Sequence, residues 1–208
     1  CPPTNVGDPN RAGIFNEINP GKHGISLNMN HPKGKDLFRK LIEVSDVVCE
    51  GFSPKVMARW GFGYDNLKKI NPTIVYVQQS GMGQHGTYGE YRATGPVAAS
   101  LAGLSEMSGL PEPWQPAGIG YSYLDWYGAY NIATAMLAGI YHREKTGKGV
   151  YIDSSQVESG IYLNGSAILN WSANGRRWQR YGNRSPWKAA APAGAYQCKG
   201  DDRWIAIT

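Results

Sequence analysis

The stretch from Tyr121 to Ser155 constrains the fold more than any other, because it ties a long helix to a strand through a glycine turn. Asp125 stands just ahead of an apolar run, and Lys145-Thr146-Gly147-Lys148-Gly149 stands just behind it. Aspartate is favoured at helix N-caps and glycine just past the last turn, so the spacing predicts a helix capped by Asp125 and closed by these glycines. Trp126, Tyr130, Ala133, Leu137 and Ile140 recur at alternating four- and three-residue steps and predict its buried stripe. Val150-Tyr151-Ile152-Asp153 then reads as a strand, and a helix feeding a strand in this way is half of a βαβ unit.

A carboxylate at a helix N-terminus faces unpaired N–H groups and the positive end of the helix dipole, which favours its charged form. A nucleophilic carboxylate needs that, and so does a structural cap. By position alone the cap is the commoner role for Asp125.

The rest of the chain repeats the alternation. Cys1 to Gly21 is rich in Pro, Asn and Gly and is expected to be irregular. Ile25 to Met29 alternates like a strand, Lys35 to Val44 carries a helical face of Leu37, Phe38, Leu41 and Ile42, and Asp46 to Glu50 is the next strand. Ser53-Pro54 starts a helix that breaks at Gly61; a short helix from Tyr64 to Ile70 and a strand from Thr73 to Gln78 follow. Gly81-x-Gly83-x-x-Gly86 matches the dinucleotide fingerprint in letters, but Thr87-Tyr88-Gly89-Glu90-Tyr91-Arg92 has no helical period to receive a pyrophosphate. The reading is a glycine-rich loop at the carboxyl end of a strand, and a dehydrogenase is disfavoured. One helix is expected from Gly95 to Gly109 and another from Gln156 to Asn174. The fold class is therefore α/β: a Rossmann-like parallel sheet with flanking helices, plus the start of a second, smaller domain. The expected domain, linker and opening hairpin occupy 1–174, 175–193 and 194–208.

With 208 residues, 41% hydrophobic and 18% charged, the chain can fill one soluble core and part of a second. It begins at Cys1 and ends in a strand-like Trp204 to Thr208, and reads as a fragment lacking both ends. The longest mostly apolar run, Ile132 to Tyr141, is well below the ~18 residues of a membrane span. Cys1, Cys49 and Cys198 are widely spaced and are expected as free thiols in a reducing cytoplasm, and the four histidines show no metal-ligand spacing. A net charge of +5 asks for an acidic partner. No nucleic-acid motif accompanies it, and the best basic and aromatic patch, Arg176, Arg177 and Arg180 with Trp178 and Tyr181, reads as a solvated helix end. A polyanionic nucleotide or coenzyme fits the diffuse excess.

Four stretches occur in an order that is more specific than any one of them: Asn19-Pro20-Gly21-Lys22 with Ile25-Ser26-Leu27; Ser45 to Pro54; Asn71 to Val77 with Ser80-Gly81-Met82-Gly83-Gln84; and His142 to Gly149. In this order the chain resembles the class III (CaiB/BaiF-type) CoA-transferase family over nearly its whole length. The resemblance implies a Rossmann-like large domain, a smaller second domain and a homodimer with interlocked chains. It implies acyl-CoA and a carboxylic acid as substrates, with no permanently bound cofactor. It also implies that Asp125 is the nucleophile, which reverses the preference for a cap, and that CoA passes through an aspartyl thioester.

CoA contacts carry over by resemblance to Leu27, Asn28, Met29, Gly51, Phe52, Ser53 and Arg59, and to Ala93, Thr94, Gly95 and Pro96. Many members have Lys where Asn30 stands and Asn where Gly51 stands, which shifts the expected phosphate contacts toward Lys33 or Lys35. Racemases of the family place a histidine near Thr94, and a threonine cannot abstract an α-proton at neutral pH. An acyl-CoA racemase, with His85 as the nearest loop histidine, and a non-catalytic CoA-binding fragment are the alternatives.

Overall fold

The computed structural model describes residues 12–186 and 191–207. Residues 1–11, residues 187–190 of the expected linker and Thr208 lie outside the described residues. In chain order the helices are α1 (Gly13–Ile18), α2 (Pro32–Val44), α3 (Val56–Trp60), α4 (Tyr64–Ile70), α5 (Gly95–Leu101), α6 (Leu104–Met107), α7 (Tyr123–Thr146), α8 (Gln156–Leu163) and α9 (Gly165–Asn174). The strands are β1 (Val47–Glu50), β2 (Val75–Ser80), β3 (Val150–Ser155), β4 (Gly194–Gln197) and β5 (Trp204–Ile207). The chain divides into two units, Cys1–Phe38 and Arg39–Thr208.

In the first unit two expectations are corrected. Part of the stretch read as irregular is the helix α1, closed by Asn19, whose backbone N–H and side-chain amide both donate to the Phe15 carbonyl. Lys22 Nζ donates to the Ile18 carbonyl at 2.7 Å, a further partner for a helix-end acceptor. Ile25 to Met29 is not a strand: a strand needs a ladder partner, the described residues of this unit contain no other strand, and Ile25 is exposed. Asn28 instead closes a turn, its side chain accepting from Asn30 N–H and its carbonyl from His31 N–H, and this delivers the chain to α2 at Pro32.

The second unit is built on a parallel three-stranded sheet in the order β1-β2-β3. The central strand β2 is buried at every residue, as a strand covered on both faces must be. Its odd residues Val75 and Val77 pack with Ile132, Ala135, Met136 and Ile140 of α7 and with Val150 and Ile152 of β3. Its even residues point the other way into a polar network. There Tyr76 donates to Glu50, Gln78 donates to Glu50, and Tyr151 donates to Gln78 at 2.8 Å. Burial pushes the Tyr151 phenol up to about 12, aided by the charges of Asp153 and Glu50, and raises the Tyr76 phenol as well. Both therefore remain donors at neutral pH.

Helix α7 ends as expected, with Gly147 in the left-handed region at φ 70 and its N–H on the Arg143 carbonyl. Its start and its buried face differ from expectation. Ser122 is the N-cap, so Asp125 sits inside the first turn. Tyr130 and Leu137 are exposed, and burial runs instead through Leu124, Gly128, Ile132 and Gly139. The reason is steric: a Cβ on Gly139 would lie 2.5 Å from Val75 Cγ1 and 3.3 Å from Val150 Cγ1, so a glycine, flanked by Ile132, Met136 and Ile140, is what lets the helix approach the sheet. Of the expected stripe Ile140 packs on the strands, whereas the bulky Tyr130 and Leu137 face away from them.

Three other elements are shorter than expected. The helix anticipated from Ser53-Pro54 begins only at Val56, because Lys55 adopts a left-handed backbone at φ 66. That conformation is held by Lys55 N–H on Gln84 Oε1 and by a Lys55–Glu90 ion pair. The helix expected from Gly95 to Gly109 is interrupted at Gly103, φ 83, into α5 and α6, and that from Gln156 to Asn174 is interrupted at Asn164 into α8 and α9. A separate antiparallel pair, β4 with β5, forms the expected hairpin.

Arg180 is not part of a solvated helix end. It is 8% exposed, donates to the carbonyls of Leu110 and Trp114 at 3.0 and 2.7 Å, and pairs with Glu106. It fastens the segment after α9 to α6 and to the loop that follows. Among the described residues no helix is long and apolar enough to cross a membrane.

Two outcomes follow from this packing. Gly139→Leu should lower stability by about 1–3 kcal/mol through overpacking against Val75, read as a lower urea midpoint of the full-length protein. Arg180→Met should cost about 2–3 kcal/mol, with faster amide exchange confined to residues 106–116 and 175–186.

Candidate functional site

The carboxyl ends of β1, β2 and β3 are followed by Gly51, Gly81 and Gln156, and Asp125 belongs to this edge. Asp125 is exposed in the first turn of α7, and its Oδ1 accepts a 2.8 Å hydrogen bond from Gln156 Nε2. Gln156 is the first residue of α8 and is 9% exposed, so a buried amide holds an exposed acid. On its other side the carboxylate meets the backbone of Gly95, the first residue of α5. A Cβ built there would lie 2.6 Å from Oδ2, 2.7 Å from Cγ and 3.0 Å from Oδ1. Only glycine leaves room for the acid in this position.

The two elements that hold Asp125 are themselves joined through Gly81. The Val157 N–H donates to the Gly81 carbonyl at 3.0 Å and the Ser155 hydroxyl to the same oxygen at 3.3 Å, which fixes the turn carrying Gln156. Ser155 also caps α8, accepting from Glu158 N–H at 3.2 Å. Opposite, the backbone of Ala93 comes so near that a Cβ on Gly81 would sit 2.9 Å from both its Cα and its N. Asp125, Gly95, Ala93, Gly81, Ser155 and Gln156 thus form a closed ring of contacts. The glycine-rich stretch is a close-approach loop, as its sequence context indicates, and the next helix begins only at Gly95.

The other expected contact residues fall into separate groups. Thr94 is the N-cap of α5 and is exposed, with Pro96 in the first turn. Gly51, Phe52 and Ser53 leave β1, where Phe52 N–H donates to Glu50 Oε2 and the Phe52 ring meets Trp60 edge-on at 5.3 Å. Arg59 is exposed on α3, one residue before Trp60. Leu27, Asn28 and Met29 belong to the first unit, where Asn28 and Met29 enter the turn into α2. His85 is exposed and packs edge-on against Tyr151 on the sheet face away from α7. There, with Lys55, Tyr64, Gln78 and Gln84, it lines a cleft of about 560 Å³ that does not include Asp125.

Gln156 escaped the sequence reading. Its only signal was a polar residue at the first helical position after a strand end, a place where polar residues are common for capping alone.

The chain matches the family model for CoA-transferase family III over residues 2–208. It is 34% identical over 184 residues to an acetyl-CoA:oxalate CoA-transferase of Acetobacter aceti, covering 88% of this chain and 47% of that protein. It is also 34% identical over 189 residues to the β subunit of a succinyl-CoA–L-malate CoA-transferase of Chloroflexus aurantiacus, covering 90% of this chain and 46% of that protein. Among solved structures, a CaiB/BaiF family protein from Brucella suis superposes with a TM-score of 0.83 at 27% identity, over 90% of this chain and 48% of that one. The chain spans about half the length of the curated relatives it matches. With its parallel sheet and the four ordered stretches that mark it, the chain belongs to CoA-transferase family III.

Proposed function

We propose that the protein carrying this chain moves coenzyme A from an acyl-CoA to a carboxylic acid, with Asp125 as nucleophile. The observation that carries this reading is the placement of Asp125: an exposed carboxylate at the head of α7, on the carboxyl edge of a parallel sheet, oriented from two sides. The relatives named as CoA-transferases supply the reaction class.

A carboxylate oxygen attacks the thioester carbonyl carbon, the C–S bond breaks, and CoA leaves as its thiolate from an acyl-aspartyl anhydride. The thiolate then attacks the aspartyl carbon, the acyl group departs as a carboxylate, and an aspartyl-CoA thioester remains. An incoming acid reverses the sequence. No net proton transfer occurs, so no general base is needed. In the second unit Gly51, Phe52, Ser53 and Arg59, with Ala93 to Pro96, are the proposed CoA contacts, Arg59 offering a guanidinium for phosphate; in the first unit the proposed contacts are Leu27 to Met29.

Racemisation has less support. Thr94 beside Gly95 offers only a hydroxyl, and the ring neighbour of His85 is Tyr151. The proposed homodimer has a surface suited to it: Tyr130, Leu137 and Tyr141 leave an apolar row on the outer side of α7.

Incubating the full-length protein with acyl-CoA should add the mass of CoA less one water. Asp125→Ala should abolish that adduct and slow transfer more than ~1000-fold. Transfer at the normal rate by Asp125→Ala would remove the assignment. Gly95→Ala should displace the carboxylate and reduce kcat by about 100-fold, with an unchanged unfolding midpoint.

A further inference from the structure

The geometry points to Gln156 as the group that stabilises charge on the aspartyl side of the reaction, an inference that rests on Asp125 being the nucleophile. A carboxylate offers only acceptors, so the amide must present its nitrogen, and Nε2 lies 2.8 Å from Oδ1. With Oδ1 held in this way, Oδ2 is the oxygen left to form the acyl bond.

In the anhydride, Oδ2 bridges the acyl carbon and Cγ, while Oδ1 becomes the carbonyl oxygen of the aspartyl group. When the CoA thiolate attacks Cγ, the carbonyl π electrons move onto Oδ1, which becomes the oxyanion of a tetrahedral centre. That centre collapses by breaking Cγ–Oδ2, and the acyl group leaves as a carboxylate that keeps Oδ2. Attack by the incoming acid on the aspartyl thioester repeats the event at the same atom, with CoA thiolate as leaving group. Charge therefore gathers twice per cycle on Oδ1, the atom that Gln156 already touches.

The donor is fixed before the reaction begins. Gln156 lies between Ser155 and Val157, which are 4% and 7% exposed, and both neighbours are bonded to the Gly81 carbonyl. A donor held by its own backbone need not reorganise as charge develops, which is the condition under which one hydrogen bond has a large effect on rate. The distance falls within the 2.7–3.1 Å range that such a donor requires.

Two variants test the assignment in the full-length protein. Gln156→Leu removes the donor at similar volume, and Gln156→Glu keeps the length but replaces the amide donor with a carboxylate oxygen. Each should lower kcat by ~100- to 1000-fold, leave KM for acyl-CoA within about twofold and leave the thermal midpoint unchanged. Formation of the aspartyl-CoA adduct, followed by intact mass, should slow by the same factor. Retention of kcat within about threefold in either variant overturns the inference, and so does a loss in which kcat, KM and the midpoint move together, the mark of a purely structural residue. Asp125→Ala is run alongside. If that variant retains the adduct, the nucleophile assignment itself is wrong; if it loses the adduct while Gln156→Leu stays fast, only the role of Gln156 falls.

Discussion

The carboxyl edge of the sheet depends on two backbones approaching more closely than side chains allow, at Gly81 against Ala93. Gly81 also receives the hydrogen bonds that fix the start of α8, so one residue sets the positions of both supports of Asp125. The acid needs no burial of its own to be oriented. Its exposure and its fixed direction are compatible because the rigidity lies in the glycine loop and the buried amide beneath it.

What was legible in the sequence was punctuation. Gly147 ends α7 in a left-handed turn, the valines of β2 are buried, and the strand after the glycine turn pairs with β2 in register. These are local signals, each with one dominant cause. Asp125 was found because helix starts are marked, although the cap itself proved to be Ser122. The family resemblance, rather than helix position, gave the aspartate its proposed chemistry.

What escaped was whatever depends on close packing between distant segments. The buried side of α7 includes Gly128 and Gly139, residues that a hydrophobic count scores as empty, whereas Tyr130 and Leu137 score highly and face outward. Gln156 and Arg180 escaped for the same reason. Their partners lie 31 residues away at Asp125 and 66 to 74 residues away at Glu106, Leu110 and Trp114, and no spacing rule connects them. The left-handed Lys55 is also a tertiary effect, imposed by Gln84 and Glu90 from another loop.

Arg180 has a bearing on how the chain runs on from α9. After α9 it could have wandered, but the guanidinium moors it to the two carbonyls that follow α6, and Gly182 N–H adds a 3.1 Å bond to the Gly109 carbonyl. The segment around Arg180 is thus tied to Glu106 of α6 and to the loop after it, and the neighbouring α5 opens at the residue beside Asp125. Strain entering from residues 181–186 therefore meets the Arg180 guanidinium before it reaches α6 and α5.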